Sequence, residues 1–420
     1  MNHAMTAFRG MLALAVLLAG PVLAQHDHGS KKRPPPLAIG AAFSPSGELW
    51  VVGLDAKLEL FVQTSADEGR QWSAPRALDT GGDKPVADGE NRPKLAFGPT
   101  GQVVISYTVA LARPYTGQIR MLRSDDGGRS FSPPFTVHQD RQIITHRFES
   151  LAFDGQGTLH TLWVDKRDAA AAAAAAALPQ ASAAASGTSK DSRRPRVKTG
   201  YLGAAIYRNE SRDGGRSFGP DLKLADHSCE CCRIALAPAP DGSLVAMWRH
   251  VFDPGAAATQ QRDHAFAPVA SIAAPPVRAS FDHWALEACP HHGPGLAPAA
   301  GGGYHAVWFG DRAGQALVRY GRLGADGSPI GQARPLPDEQ AEHAAVQSAG
   351  SQLVIAWRSF DGQATRWRAW VSVDDGRSFA TRELGRSADD NDHPLLVKRG
   401  EQIFALWRTA QGVRVENMSR

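Results

Sequence analysis

Cysteine is scarce, with four residues in 420. That density excludes a fold held together mainly by disulfides. Neither sign of charge dominates. Lys and Arg number 46, Asp and Glu 42, and the formal net charge is +4. No strong basic field of the kind that binds nucleic acid is present. After the first two dozen residues, no apolar run approaches the roughly 18 residues of a membrane-crossing helix. Glycine and proline are plentiful, at 42 and 28, beside 43% hydrophobic residues. Such a chain is too apolar for disorder and too heavily punctuated for a helical bundle or coiled coil. Its length suits two average domains or one large repeat architecture.

The N-terminus reads as a secretory signal. Arg9 supplies a charge, Met11 to Ala19 is a short apolar run, and Val22-Leu23-Ala24 offers small residues for cleavage after Ala24. No Cys follows the cleavage point, so no lipid anchor is expected. The mature protein is expected in the periplasm or outside the cell, as a monomer without a transmembrane anchor, where disulfides are permitted. Residues 25–36 read as a solvated leader, and residues 37–420 as one domain.

Internal repeats set the fold. A short hydrophobic strand ending in an aromatic residue occurs seven times, at Trp50, Tyr107, Trp163, Trp248, Trp308, Trp357 and Trp407. Most copies follow a Gly-containing turn and an earlier apolar segment, such as Leu95-Ala-Phe97 or Leu151-Ala-Phe153. Strand, tight turn, strand is a β-hairpin pattern. A second element, S-x-D-x-G-x-x-(W/F), occurs four times, centred on Asp67, Asp126, Asp213 and Asp374. Asp favours turns by accepting from backbone N–H groups just downstream, and Gly supplies positive φ. The pattern reads as a structural corner between strands.

These four copies resemble the Asp-box, or bacterial neuraminidase, repeat of the sialidase superfamily. The resemblance spans the mature chain. It implies an all-β propeller of four-stranded blades, with each box between the third and fourth strands, away from the mouth where the family's active site lies. Seven aromatic strands predict seven blades, the last with three recognisable strands; six, the commoner number in sialidases, is the alternative. Residues 168–199, with an Ala run and Ser, Lys and Arg, read as a flexible insertion in the third blade.

In a propeller, residues just before each innermost strand converge at one mouth. Those positions carry Asn91 and Arg92, then His146, Arg147 and Glu149, then His227, Cys229, Cys231, Cys232 and Arg233. They continue with His283, Cys289, His291 and His292, then His343, and lastly Asp392 and His393. All four cysteines fall in this set. The pairing of C-x-C-C at Cys229 to Cys232 with C-P-x-H-G-P at Cys289 to Pro294 resembles secreted Asp-box propellers of sialidase-like type. Thiolate and imidazole suit copper or zinc, so Cys229, Cys231, Cys232, Cys289, His291 and His292 are the candidate metal ligands. Disulfides are the other reading, with Cys231 or Cys232 bonded to Cys289 and stapling two blades.

The sialidase resemblance also implies three Arg holding a substrate carboxylate, a Tyr nucleophile assisted by Glu, and an Asp acid/base. Arg92, Arg147 and Arg233, with Glu149, are the matching candidates. The family's Arg-Ile-Pro motif is absent, Arg92-Pro93 being the nearest approach, and the last Tyr is Tyr320. The expected ligand is a metal ion, a glycan or another small molecule. A glycoside hydrolase and a protein-interaction scaffold remain the alternatives.

Overall fold

The computed structural model describes residues 36–177, 203–252, 260–271, 275–286 and 291–419. The expected signal segment, most of the leader and Cys289 lie outside them.

Local hairpin chemistry dominates. Tight turns with positive-φ glycines, such as Gly47, Gly101 and Gly242, join the first and second strands of successive sets. The pairs are antiparallel, and most sets continue to a third and a fourth strand. The seven aromatic strands named above are each the second strand of a set. Their apolar side chains fill the spaces between sheets, where Trp163, Trp248, Trp357 and Trp407 are fully buried. The last set, Leu395–Arg399, Gln402–Thr409 and Gly412–Asn417, has three strands.

The first strands form the inner ring. They are Ile39–Phe43, Lys94–Phe97, His146–Phe153, Ala235–Pro238, Gly295–Pro298, Glu342–Ala349 and Leu395–Arg399. Each lies against the next, and the last returns to the first. Ile39, Leu49 and Val51 of the first set share a buried cluster with Phe404 and Leu406 of the last. This closed ring of antiparallel sheets is a β-propeller.

The four S-x-D-x-G turns have one geometry and lie between third and fourth strands. In each, the Ser hydroxyl donates to the Asp carboxylate at 2.7–2.9 Å and accepts from the Gly N–H at 2.7–2.9 Å. The same carboxylate accepts from the backbone N–H of Gln71, Ser130, Ser217 or Ser378. The glycine is required twice over. Gly128 has φ +84°, and a Cβ there would overlap the Trp50 ring of the preceding set. The turn therefore also sets the spacing between neighbouring sheets.

In the expected insertion, Arg167–Ala177 is an α-helix with no buried residue. Alanine has the highest helix propensity, which outweighs the missing apolar face. Asp165 accepts from the Arg167 N–H at 2.8 Å, and Tyr207 donates its hydroxyl to Asp168 at 3.1 Å. Residues 178–199 of the insertion lie outside the described ones.

Candidate functional site

The sulfur cluster arises where the chain passes from strand Leu222–Ser228 to strand Ala235–Pro238. The Cys229 N–H donates to the Arg249 carbonyl at 2.9 Å and anchors the crossing. The segment then turns all three thiols inward, none more than 5% exposed. The Sγ atoms lie 3.8 Å (Cys229 to Cys231), 3.9 Å (Cys231 to Cys232) and 3.7 Å (Cys232 to Cys229) apart. A disulfide needs about 2.05 Å, so no two of these three are bonded to each other. A metal ion about 2.3 Å from each sulfur, in tetrahedral geometry, would separate the sulfurs by about 3.7–3.8 Å. The cluster meets that spacing as it stands. Arg262 Nη1 donates to Cys229 Sγ at 3.5 Å, placing a cation beside the sulfurs. The Cys232 thiol donates to Cys229, and this bond, with burial, holds its proton well above the ordinary thiol range. A metal would have to displace that proton.

His291 is exposed, and His292 is half-buried. The His292 ring lies in a different group. It stacks on Phe309, with centroids 4.4 Å apart, and on His343 at 4.1 Å. His343 stacks in turn on His393 at 3.4 Å. These rings come from three successive strand sets and form one column. His343 has φ +49°, at a register shift between Glu342 and Ala345. Such bulges re-aim a side chain out of its sheet.

Glu90 meets this column from the second set. It is 3% exposed. Its Oε1 accepts from Arg233 Nη1 at 2.7 Å and from His343 Nδ1 at 3.0 Å, and lies 3.8 Å from His393 Nδ1. Its Oε2 accepts from the backbone N–H of Arg233 at 3.2 Å and of Gly293 at 3.3 Å. Burial alone would raise the carboxyl's pKa. The Arg233 charge and the His343 hydrogen bond reverse this and hold it well below the usual range. Burial and the neighbouring His343 keep His393 neutral, and push His292 down to about 3.

The expected carboxylate clamp has resident partners. Arg92 makes a two-pronged pair with Asp392, at 2.9 and 3.0 Å. Arg147 pairs with Asp88 at 2.5 Å, and Arg233 with Glu90. Glu149 is fully buried and accepts from Ser106 at 2.8 Å, with Lys94 Nζ 3.8 Å away. Tyr107 donates to Asp83 at 2.8 Å rather than to Glu149, because Ser106 and Thr108 alternate with it on the strand and face the other way. Glu90 went unremarked in the sequence. Its one signal is position, directly before Asn91 and Arg92 at a mouth-lining segment.

No protein-family model and no curated protein matches the chain. Solved structures do. A polysaccharide lyase of family PL25, an ulvan lyase, aligns at 12% identity over 91% of this chain and 93% of that one, with a TM-score of 0.55. The same type of lyase bound to -[GlcA(1-4)Rha3S]- aligns at 11% identity over the same shares, with a TM-score of 0.54. The K499G mutant of NanB sialidase from Streptococcus pneumoniae aligns at 9% identity over 91% and 84%, with a TM-score of 0.47. At these identities the likeness to the lyases extends to the fold.

Proposed function

We propose that this chain is a seven-bladed propeller of the periplasm or cell exterior that binds a soft metal ion, copper(I) or zinc(II), through Cys229, Cys231 and Cys232. The observation that carries this reading is the triangle of buried sulfurs, 3.7–3.9 Å apart. Thiolates are the preferred ligands of both ions. Burial excludes competing water, and the Arg262 guanidinium offsets the negative charge of a thiolate complex. Cys289, which lies outside the described residues, is the proposed fourth ligand, and His291 and His292 are the further proposed ligands.

The test is metal analysis of the protein after anaerobic reconstitution with Cu(I) or Zn(II), beside Cys229→Ser, Cys231→Ser and Cys232→Ser. One equivalent retained through gel filtration in the parent, and lost in each variant, supports the reading. A parent that retains no metal overturns it. A glycan ligand at the mouth is the second reading, favoured by the fold shared with a lyase bound to -[GlcA(1-4)Rha3S]-. Calorimetry against uronate and sialic-acid oligosaccharides tests it.

A further inference from the structure

Glu90, His343 and His393 share no residue with the sulfur cluster. One oxygen of Glu90 and one nitrogen of each His lie within 4.8 Å of one another. We propose that these three residues form a second cation site, for a borderline divalent ion such as Zn(II) or Cu(II). Imidazole with carboxylate is a donor set that suits divalent Zn(II) and Cu(II), as three sulfurs suit Cu(I) or Zn(II).

Three observations carry the assignment. First, the spacing fits. Donors about 2.0–2.2 Å from a tetrahedral ion stand about 3.3–3.6 Å apart. Glu90 Oε1 lies 3.0 Å from His343 Nδ1 and 3.8 Å from His393 Nδ1, on either side of that value. Second, His393 is 8% exposed, and its buried Nδ1 has no hydrogen-bond partner although it faces Glu90. A buried polar atom left unpaired costs about 1–3 kcal/mol, and a cation removes that cost. Third, the carboxylate is held in place from outside the site. The amides of Arg233 and Gly293 grip Oε2, and the Arg233 guanidinium bonds the ligating Oε1 from its other side. Outer contacts of this kind orient metal-ligating carboxylates.

The proton that His343 Nδ1 donates to Glu90 marks the place of the ion. On binding, the His343 ring takes its other neutral tautomer, with its proton on Nε2 beside Glu342 Oε2 3.8 Å away, which leaves Nδ1 and Glu90 Oε1 to face the ion. The rings of His343 and His393 are within 10° of parallel, so one must rotate for both lone pairs to reach a single ion. Arg233 adds a like charge nearby. Both effects hold the affinity in the micromolar range rather than the nanomolar.

The test uses the full chain with Cys229, Cys231 and Cys232 all changed to Ser, so that the sulfur cluster cannot contribute. Zn(II) is titrated by calorimetry at neutral pH. The expected result is one equivalent bound at micromolar affinity, weakened at least tenfold by adding His393→Phe, which keeps the stacked ring but removes the donor. Glu90→Gln, which conserves volume, is expected to weaken binding similarly and guards against a folding failure in the first variant. A parent that binds no Zn(II), or affinity unchanged in whichever variants fold, overturns the proposal. Neither result bears on the sulfur cluster.

Discussion

Arg92 and Asp392, separated by 300 positions, join the second strand set to the last through two parallel hydrogen bonds. The same carboxylate accepts from the backbone N–H of Ile39 at 3.1 Å, and the same guanidinium donates to the Ile39 carbonyl at 3.0 Å. One ion pair thus gathers the two ends of the ring and the set beside them. Removing one member of a buried pair leaves the other charge unpaired, at about 3–5 kcal/mol. Asp392→Asn is expected to destabilise the protein by about that amount, with a clear fall in melting temperature. An unchanged melting temperature would show that apolar packing alone closes the ring.

The turn glycines separate two effects that usually coincide. Gly127 and Gly128 both have positive φ, at +71° and +84°, but a Cβ on Gly127 meets nothing within 4 Å. Gly127→Ala is expected to cost only the backbone penalty, about 1 kcal/mol. Gly128→Ala adds the overlap with Trp50 and is expected to cost about 2–4 kcal/mol. Denaturant unfolding of the two variants measures the difference, and equal losses would remove Trp50 from the account.

Acid weakens this fold through its buried imidazoles. Burial is the first cause that pushes His138, His250 and His292 down to about 3, from an ordinary 6.5. In the folded chain they stay neutral down to that value, while in the unfolded chain they gain a proton near 6.5. Their contribution is therefore complete above about pH 6.5 and is lost progressively as pH falls towards 3. At pH 5 each represents roughly 2 kcal/mol, part of it owed to repulsion from the neighbouring His146, His227 and His343 respectively. Melting temperatures from pH 8 to 4 should decline steadily below 6.5, and His250→Phe should flatten the decline.

Metal loading should follow pH in the same direction for a different reason. Each sulfur must shed its proton before it can ligate, and the Cys232 thiol holds its proton more firmly than an ordinary one. Uptake of Zn(II) should release protons, measurable as a dependence of binding heat on buffer ionisation. Affinity should fall as pH is lowered. Binding independent of pH would argue against thiolate ligands.

Much of the fold was legible because its signals are local. The S-x-D-x-G turn is specified by four or five successive residues, and the aromatic second strands by short runs such as Leu353 to Trp357. The cysteine group was legible for the same reason, since Cys229, Cys231 and Cys232 occupy one crossing segment. Pairings across the ring were not. Arg233 with Glu90, and Arg92 with Asp392, depend on how far each sheet is rotated about the axis, which no local pattern encodes. Arg92, Arg147, Arg233 and Asp392 could therefore be named from position, while the carboxylate that each Arg holds could not.

Glu90 has a consequence for how the ring holds together. Its carboxylate leaves the second strand set and is gripped by groups of the segments that open the fourth, fifth and sixth. One buried side chain thus fastens four strand sets that are not all neighbours, so a change at this single position is felt in all of them at once.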